Sequence, residues 1–349
     1  MWNRFSGSLK DKKDLFEQVF FYSHSISKLI SVGSPCRIPY TVAGKAALVI
    51  PELKQLYFKN DIQGHSGRCK HSDTIRPYFY FHRTMATQRI LLNIRYLGHA
   101  FCGWQNQPNG LPTVQAALEN AVAQIAGHSV EVLAAGRTDR GVHALNLTAH
   151  FDTTARRPLH AWVAGVNSHL PEQIAVLSAQ EVPPDFHARF NACRREYRYV
   201  LSNSPVRPVI LKGLVGWTFV PLSVEKMQTA AQLLLGEQDF SSFRSSECQA
   251  KTPIKTMYSA HIFHQNDFIC FDFAASGFLH HQVRNMVGAL IYVGNGKLSQ
   301  DDFAQIINAR NRQFAPPTFM ADGLYLTGVD YPSVWQIQKP PMPKWFFGE

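Results

Sequence analysis

The chain of 349 residues is long enough for one large domain or two smaller ones, and its 45% hydrophobic, 17% charged composition is that of a globular protein, not a disordered or fibrous one. Its formal charge of +10 points to a polyanionic partner, yet residues 1–84 hold 13 Lys+Arg and 6 Asp+Glu, leaving 22 and 19 for the rest. Six scattered cysteines with no C-x-x-C pair argue against a zinc site or disulfide framework and for reduced thiols in a cytoplasmic setting, and no run approaches the roughly 20 apolar residues that cross a bilayer.

Residues 1–84 carry turn signals (Gly33-Ser34-Pro35, Gly64-His65-Ser66-Gly67) and no coherent hydrophobic period. Acidic residues at 11, 14 and 17 argue against a transit peptide. The segment reads as a poorly ordered, dispensable extension or as sequence upstream of a start at Met85, with a basic RNA-binding arm as the other reading. Regular patterns begin beyond Met85. Residues 89–96 read as a strand and 113–127 as an amphipathic helix, with Val114, Ala117, Leu118, Ala121 and Ile125 on one face, Thr113 as cap and Gly127 as stop. Strands follow at 130–135 and 145–151, the second with Leu145, Leu147 and Ala149 on one face, then a helix at 159–170 and a strand at 174–182. A similar series starts again: a strand at 196–201, a helix at 224–235, a hairpin of 257–263 and 268–274, helices at 279–293 and 300–309, and a closing strand at 324–329. Two such series predict α+β layers in two halves, 85–190 and 191–349, meeting at a central cleft.

The densest chemistry lies in Ala135-Gly136-Arg137-Thr138-Asp139-Arg140-Gly141-Val142-His143-Ala144. A lone Arg-Thr-Asp is ordinarily a salt-bridged surface turn. Here an acid stands between two arginines in a glycine-bracketed turn, and flanking guanidiniums favour a carboxylate able to act as nucleophile or base. The same arginines can meet phosphates. Arg194-Arg195-Glu196-Tyr197-Arg198-Tyr199 places both tyrosines on one strand face. It reads as a half-buried tyrosine ladder or as a stacking platform edged by phosphate-holding arginines. The aromatic-basic stretch 185–191 and the polar stretch 243–251 look like loops able to reach an RNA backbone, or like plain surface. In Gly277-Phe278-Leu279-His280-His281-Gln282-Val283-Arg284, Arg284 among apolar residues must be paired or serve a site. Adjacent histidines cannot both face one metal on a helix, where neighbours lie about 100° apart. His143, His150 and Asp152 lack a convincing ligand spacing, so a metal is rejected.

In order and spacing these stretches resemble the TruA family of tRNA pseudouridine synthases, from about residue 88 to the C terminus. The signature is similar to that family's G-R-T-D-x-G-V-H-A motif, with Arg140 where many bacterial members carry a small residue. Tyr96-Leu97-Gly98, Gly103-Trp104-Gln105-Asn106-Gln107 and Lys339-Pro340-Pro341-Met342 also fit. The resemblance implies two similar ferredoxin-like halves with antiparallel sheets joined across an RNA-binding cleft. It implies Asp139 as the nucleophile, Arg137 as the base-flipping residue, Tyr197 against the uracil, Leu324 closing the site and Arg284 beside it. For tRNA contact it implies Arg140, Arg157, Phe186, His187, Ala188, Arg189 and Phe190, and the loop Glu247, Cys248, Gln249, Ala250 and Lys251. The expected reaction turns uridine into pseudouridine at positions 38–40 of the anticodon stem-loop, in a homodimer. As an isomerisation without net redox change it calls for no cofactor. Whether Asp139 attacks base or sugar stays open. The competing readings are a catalytically silent tRNA-binding protein, which would not need Asp139, and a nucleoside hydrolase, which would release free uracil.

Overall fold

The computed structural model describes residues 87–108 and 110–343; the reading of residues 1–84 lies outside them. Among the described residues the strands are β1 (Gln88–Tyr96), β2 (Leu133–Ala134), β3 (His143–Thr153), β4 (Ile174–Val182), β5 (Arg194–Asn203), β6 (Gly216–Thr218), β7 (Gly236–Asp239), β8 (Ile254–Gln265), β9 (Phe268–Ala275) and β10 (Leu324–Asp330). The helices are α1 (Val114–Ala126), α2 (Leu159–Asn167), α3 (Val224–Ala231), α4 (Gln282–Gly294) and α5 (Gln300–Ala309). The α+β expectation holds. The strands form one open sheet in the order β4-β1-β3-β10-β5-β9-β8-β7, with β2 on β3 and β6 on β5. The two expected sheets are thus continuous. Most pairs are antiparallel, and the seam is the parallel pairing of Tyr325 and Leu326 in β10 with His143 and Ala144 in β3.

Local chemistry explains most elements. The Thr113 side chain accepts from Ala116 N at the start of α1, and Gly127 ends it in the left-handed region at φ 76°. Ser299 and Asp302 close a capping box on α5. β3 departs from its expected one-sided pattern: Asn146, Thr148 and His150 are buried as fully as Leu145, Leu147 and Ala149. The polar set is partly satisfied: Thr148 donates to Asn93, Asn93 donates to the Gln338 carbonyl, and His150 Nδ1 accepts from Ala188 N, while Asn146 Oδ1 and His150 Nε2 find no partner among the described residues. Three boundaries also differ. The strand expected at 130–135 is only the two-residue β2, and the 224–235 helix gives way to a 3-10 turn at Gln232–Leu234. α4 begins at Gln282, not Leu279, because His281 sits at φ 62°, outside helical geometry. β7, with the sequence GEQD, shows no alternation to read.

Two main apolar cores flank the seam. One gathers α1, α2, β1, β3 and β4 around Leu91, Leu118, Leu147, Phe151 and Trp162. The other gathers α3, α4, α5, β5, β8 and β9 around Tyr199, Phe243, Phe271, Met286 and Phe303.

Candidate active site

The signature turn leaves β2 and re-enters the sheet as β3, held almost wholly by main-chain and neutral contacts. Trp104 N donates to the Thr138 carbonyl at 3.1 Å, Ala135 N to Thr148 O at 2.8 Å, and Val142 N to Asp139 O at 3.1 Å. Thr138 is buried, its hydroxyl 2.9 Å from that of Tyr96. Gly103 backs the turn so closely that a Cβ there would lie 2.8 Å from Thr138 O, and its φ of +90° suits glycine. His143 locks the far side: Nδ1 accepts from Gly98 N at 3.0 Å while Nε2 donates to the Asp322 carbonyl at 3.0 Å. Burial holds this imidazole neutral, its pKa pulled down to about 4.

The carboxylate of Asp139 then faces residues nearly half the chain away. Arg284 Nη1 donates to Oδ2 at 3.2 Å while its Nε holds the Phe319 carbonyl at 2.9 Å. His280 Nε2 stands 3.3 Å from Oδ1, and His281 Nε2 3.3 Å from Oδ2. This corrects the expectation that the two histidines must diverge. They lie in the turn before α4, and the left-handed backbone of His281 brings both rings to one side, their centroids 3.9 Å apart. Burial is the main reason the His281 pKa lies below its ordinary value; the charges of His280 and Arg284 add to it, against the pull of Asp139. Asp139, His280 and His281 offer donor atoms all within 4.8 Å of one another, so these residues could hold a divalent ion. Arg284 already brings positive charge to the same carboxylate.

Tyr197 joins this group. Its phenol pKa is pushed up, first by burial and then by the charge of Asp139, and its ring meets Phe278 edge-on at 5.0 Å. Leu324 is buried in the same core as Val142 and pairs with Tyr199 in the sheet. Arg137 and Arg140 are exposed at the rim, and Arg137 reaches Gln249 at 3.4 Å. That contact links the signature turn to the 247–251 loop, where Glu247, Gln249 and Lys251 are exposed and Cys248 and Ala250 half-buried.

Other anticipated contacts are placed differently. Phe186 and Ala188 are fully buried, and the main-chain groups of Ala188 are taken by His150 and Tyr331, so neither presents a side chain to RNA. His187 is half-buried, leaving Arg189 and Phe190 as the exposed part of that turn, with Phe190 74% exposed. Arg157 is exposed but donates to the Ile125 carbonyl at 3.1 Å, behind α1. The arginines of β5, read as phosphate holders, are committed internally. Arg198 grips Asp272 with two bonds of 2.6 Å, and Arg194 pairs with Glu196 and Asp330. Arg195 donates to four carbonyls, those of Ala135, Arg189, Ala192 and Ser276, tying the signature turn to the 185–191 turn and to the approach to His280. Sequence reasoning casts Arg195 as a phosphate holder and gives the histidine pair no site role; the structure sets Arg195 behind the signature turn and the pair against the Asp139 carboxylate. The His-His doublet was visible, but its placement before the helix was not.

A carboxylate at the seam of an α+β sheet, met by an arginine and two imidazoles and rimmed by exposed arginines, defines an enzyme built for a polyanionic substrate. A family model described as tRNA pseudouridine synthase matches residues 93–191 and 230–332. The chain is 56% identical over 262 residues to tRNA pseudouridine synthase A of Neisseria meningitidis, covering 75% of this chain and 99% of the relative. It is 55% identical over 249 residues to the protein of that name from Methylobacillus flagellatus, covering 71% and 95%. The chain belongs to the TruA family of tRNA pseudouridine synthases.

Proposed function

We propose that this protein isomerises uridine to pseudouridine at positions 38–40 of the tRNA anticodon stem-loop, with Asp139 as the nucleophile. Family membership makes it an isomerase acting on tRNA. The observation that carries the finer reading is the Asp139 carboxylate, fixed by Arg284 and flanked by His280 and His281 beside a stacking tyrosine. In the reaction the bond between uracil N1 and the ribose C1′ breaks, the base turns, and C5 bonds to C1′. C5 gives up its hydrogen and N1 takes one up, so atoms and electrons balance without a redox partner. A carboxylate fits either route, adding to the ring or to C1′.

The target base must leave its stack to reach Asp139. Arg137, exposed and held among the described residues by one long bond to Gln249, is placed to fill the gap it leaves. Tyr197 supplies the surface on which the flipped uracil stacks. As a phenol it can take the C5 proton only by handing on its own. Leu324 forms the apolar wall behind. Arg140, Arg157, Arg189, Phe190, His187 and the 247–251 loop are the proposed tRNA contacts. The exposed apolar residues Val206, Val209, Ile210 and Phe219 support a homodimer, and the enzyme would work in the cytoplasm. We read its two halves as 85–190 and 191–349.

Tritium release from 5-tritiated uridine in an anticodon stem-loop RNA tests the assignment. Asp139→Asn is expected to cut turnover by more than about 1,000-fold while tRNA affinity changes little. Retained turnover would remove Asp139 from the nucleophile role.

A further inference from the structure

Close to the Asp139 carboxylate, and lined in part by His281, lies a cavity of about 550 Å³. It falls within the roughly 300–1,000 Å³ of ordinary ligand sites. Arg244, Arg312, Ser245, Ser246 and Thr318 line it together with His281, and no Asp or Glu does. Among the described residues neither arginine forms an ion pair. Both are nevertheless fixed. Arg244 Nη2 donates to the carbonyls of Cys248 at 2.7 Å and Ala250 at 3.0 Å. Arg312 donates to the Ala315 carbonyl at 2.8 Å, to Asn285 Oδ1 at 3.2 Å and to Thr318 Oγ1 at 3.3 Å.

Such bonds to neutral acceptors set the geometry of the guanidiniums and leave their charge uncompensated. Burial already works against the charged form of Arg312. Two preorganised half-buried cations with hydroxyls beside them and no carboxylate match a tetrahedral oxyanion. The position narrows which anion. His281 lines the cavity while its Nε2 is 3.3 Å from Asp139, so one imidazole borders both the cavity and the carboxylate. That puts the cavity next to the carboxylate that the target base would meet.

We infer that this cavity is a subsite for one phosphodiester of the bound RNA, at or next to the flipped nucleotide, gripped by Arg244 and Arg312. The inference rests on the reading of the chain as a tRNA-modifying enzyme. It adds a positioning role for two arginines that make no contact with Asp139.

The test uses the full chain and a tRNA transcript, with affinity measured by fluorescence anisotropy over a range of KCl concentrations. Ser246→Asp places a carboxylate in the cavity at an exposed position whose side chain makes no bond among the described residues. It should weaken binding about tenfold, the scale of one charge-assisted contact. Arg312→Gln should lower the slope of log affinity against log salt by about one. Thermal melting checks its fold; should it not fold, Ser246→Asp alone decides. A single neutral methylphosphonate linkage in a synthetic anticodon stem-loop should weaken wild type and have no further effect in Ser246→Asp. An affinity and salt slope unchanged in Ser246→Asp would overturn the subsite. So would displacement by inorganic phosphate without any linkage that matters, which would mark a free-anion site. Pseudouridine formation by wild type is scored in parallel. Its absence would count against the functional reading, whereas normal turnover with unchanged affinity would count against the subsite alone.

Discussion

The two halves of the sheet bring unlike things to the site. The N-terminal half carries the carboxylate on a turn held by neutral and main-chain contacts with Trp104, Tyr96 and Thr148. The C-terminal half carries what meets it: Arg284, His280 and His281 at the start of α4, and beside them Arg244 and Arg312, which form no ion pair among the described residues. Neither half is complete. Their cores also exchange residues at the seam, where Val142 packs in the C-terminal core and Leu326 and Val329 in the N-terminal one. The proposed nucleophile and its electrostatic setting are thereby built on separate scaffolds, and their spacing depends on the seam between β3 and β10.

The seam can be broken most directly at Gly98. A Cβ there would collide with the carbonyl of Val142, a main-chain atom that cannot yield cheaply. Gly98→Ala is expected to cost at least about 3 kcal/mol, since it forces backbone apart in a packed turn. An unchanged midpoint of chemical unfolding would show that the halves tolerate displacement here.

Acid probes the same seam through His143, which bridges Gly98 and Asp322. Its folded pKa of about 4 lies below the ordinary 6.5, so the unfolded chain binds more protons between these values. Its contribution is intact above pH 6.5 and is lost as pH falls toward 4. The upper bound is about 3 kcal/mol, because each pH unit between the folded and unfolded values is worth about 1.4 kcal/mol. His150, also pulled down to about 4, acts in the same direction. His143→Gln should flatten the dependence of unfolding free energy on pH across this window; an identical slope would place the effect elsewhere.

The electrostatic side of the comparison is sharpened by Arg284→Gln. Losing the cation 3.2 Å from Asp139 should lower kcat about 100-fold with little change in KM, the scale of losing one preorganised charge contact. Arg284→Lys should recover part of it. A kcat equal to wild type would mean the C-terminal half contributes walls and no charge. The smallest effect concerns the rim: Phe190→Ala should weaken tRNA binding about fivefold without altering kcat, if its exposed ring stacks on a base. Equal affinities would make that turn ordinary surface.

Much of this was legible from residue patterns because it is local. The cap at Thr113, the stop at Gly127, the apolar face of α1 and the β8–β9 hairpin all follow from short-range rules. The glycine-bracketed Asp139 likewise stands out by its own neighbours alone. Other features depended on what lies across the sheet. Phe186 and Ala188 looked like part of a surface motif, but packing of Phe186 against Tyr331 and Trp335 buries that turn from behind. Arg194, Arg195 and Arg198 had the spacing of a basic edge, yet register opposite Ala275, Asp272 and Asp330 fixed their partners within the protein.

By itself, then, the sequence determined most of the elements, the α+β class and the carboxylate proposed as nucleophile, since propensity, capping and periodicity act over a few residues. Tertiary structure decided which charges face Asp139 and which are spent on the fold. Arg284 lies 145 positions from that carboxylate, and a single left-handed residue at His281 turns two adjacent rings onto it. Contacts of that range arise from sheet register and backbone exceptions, which no short window of sequence contains.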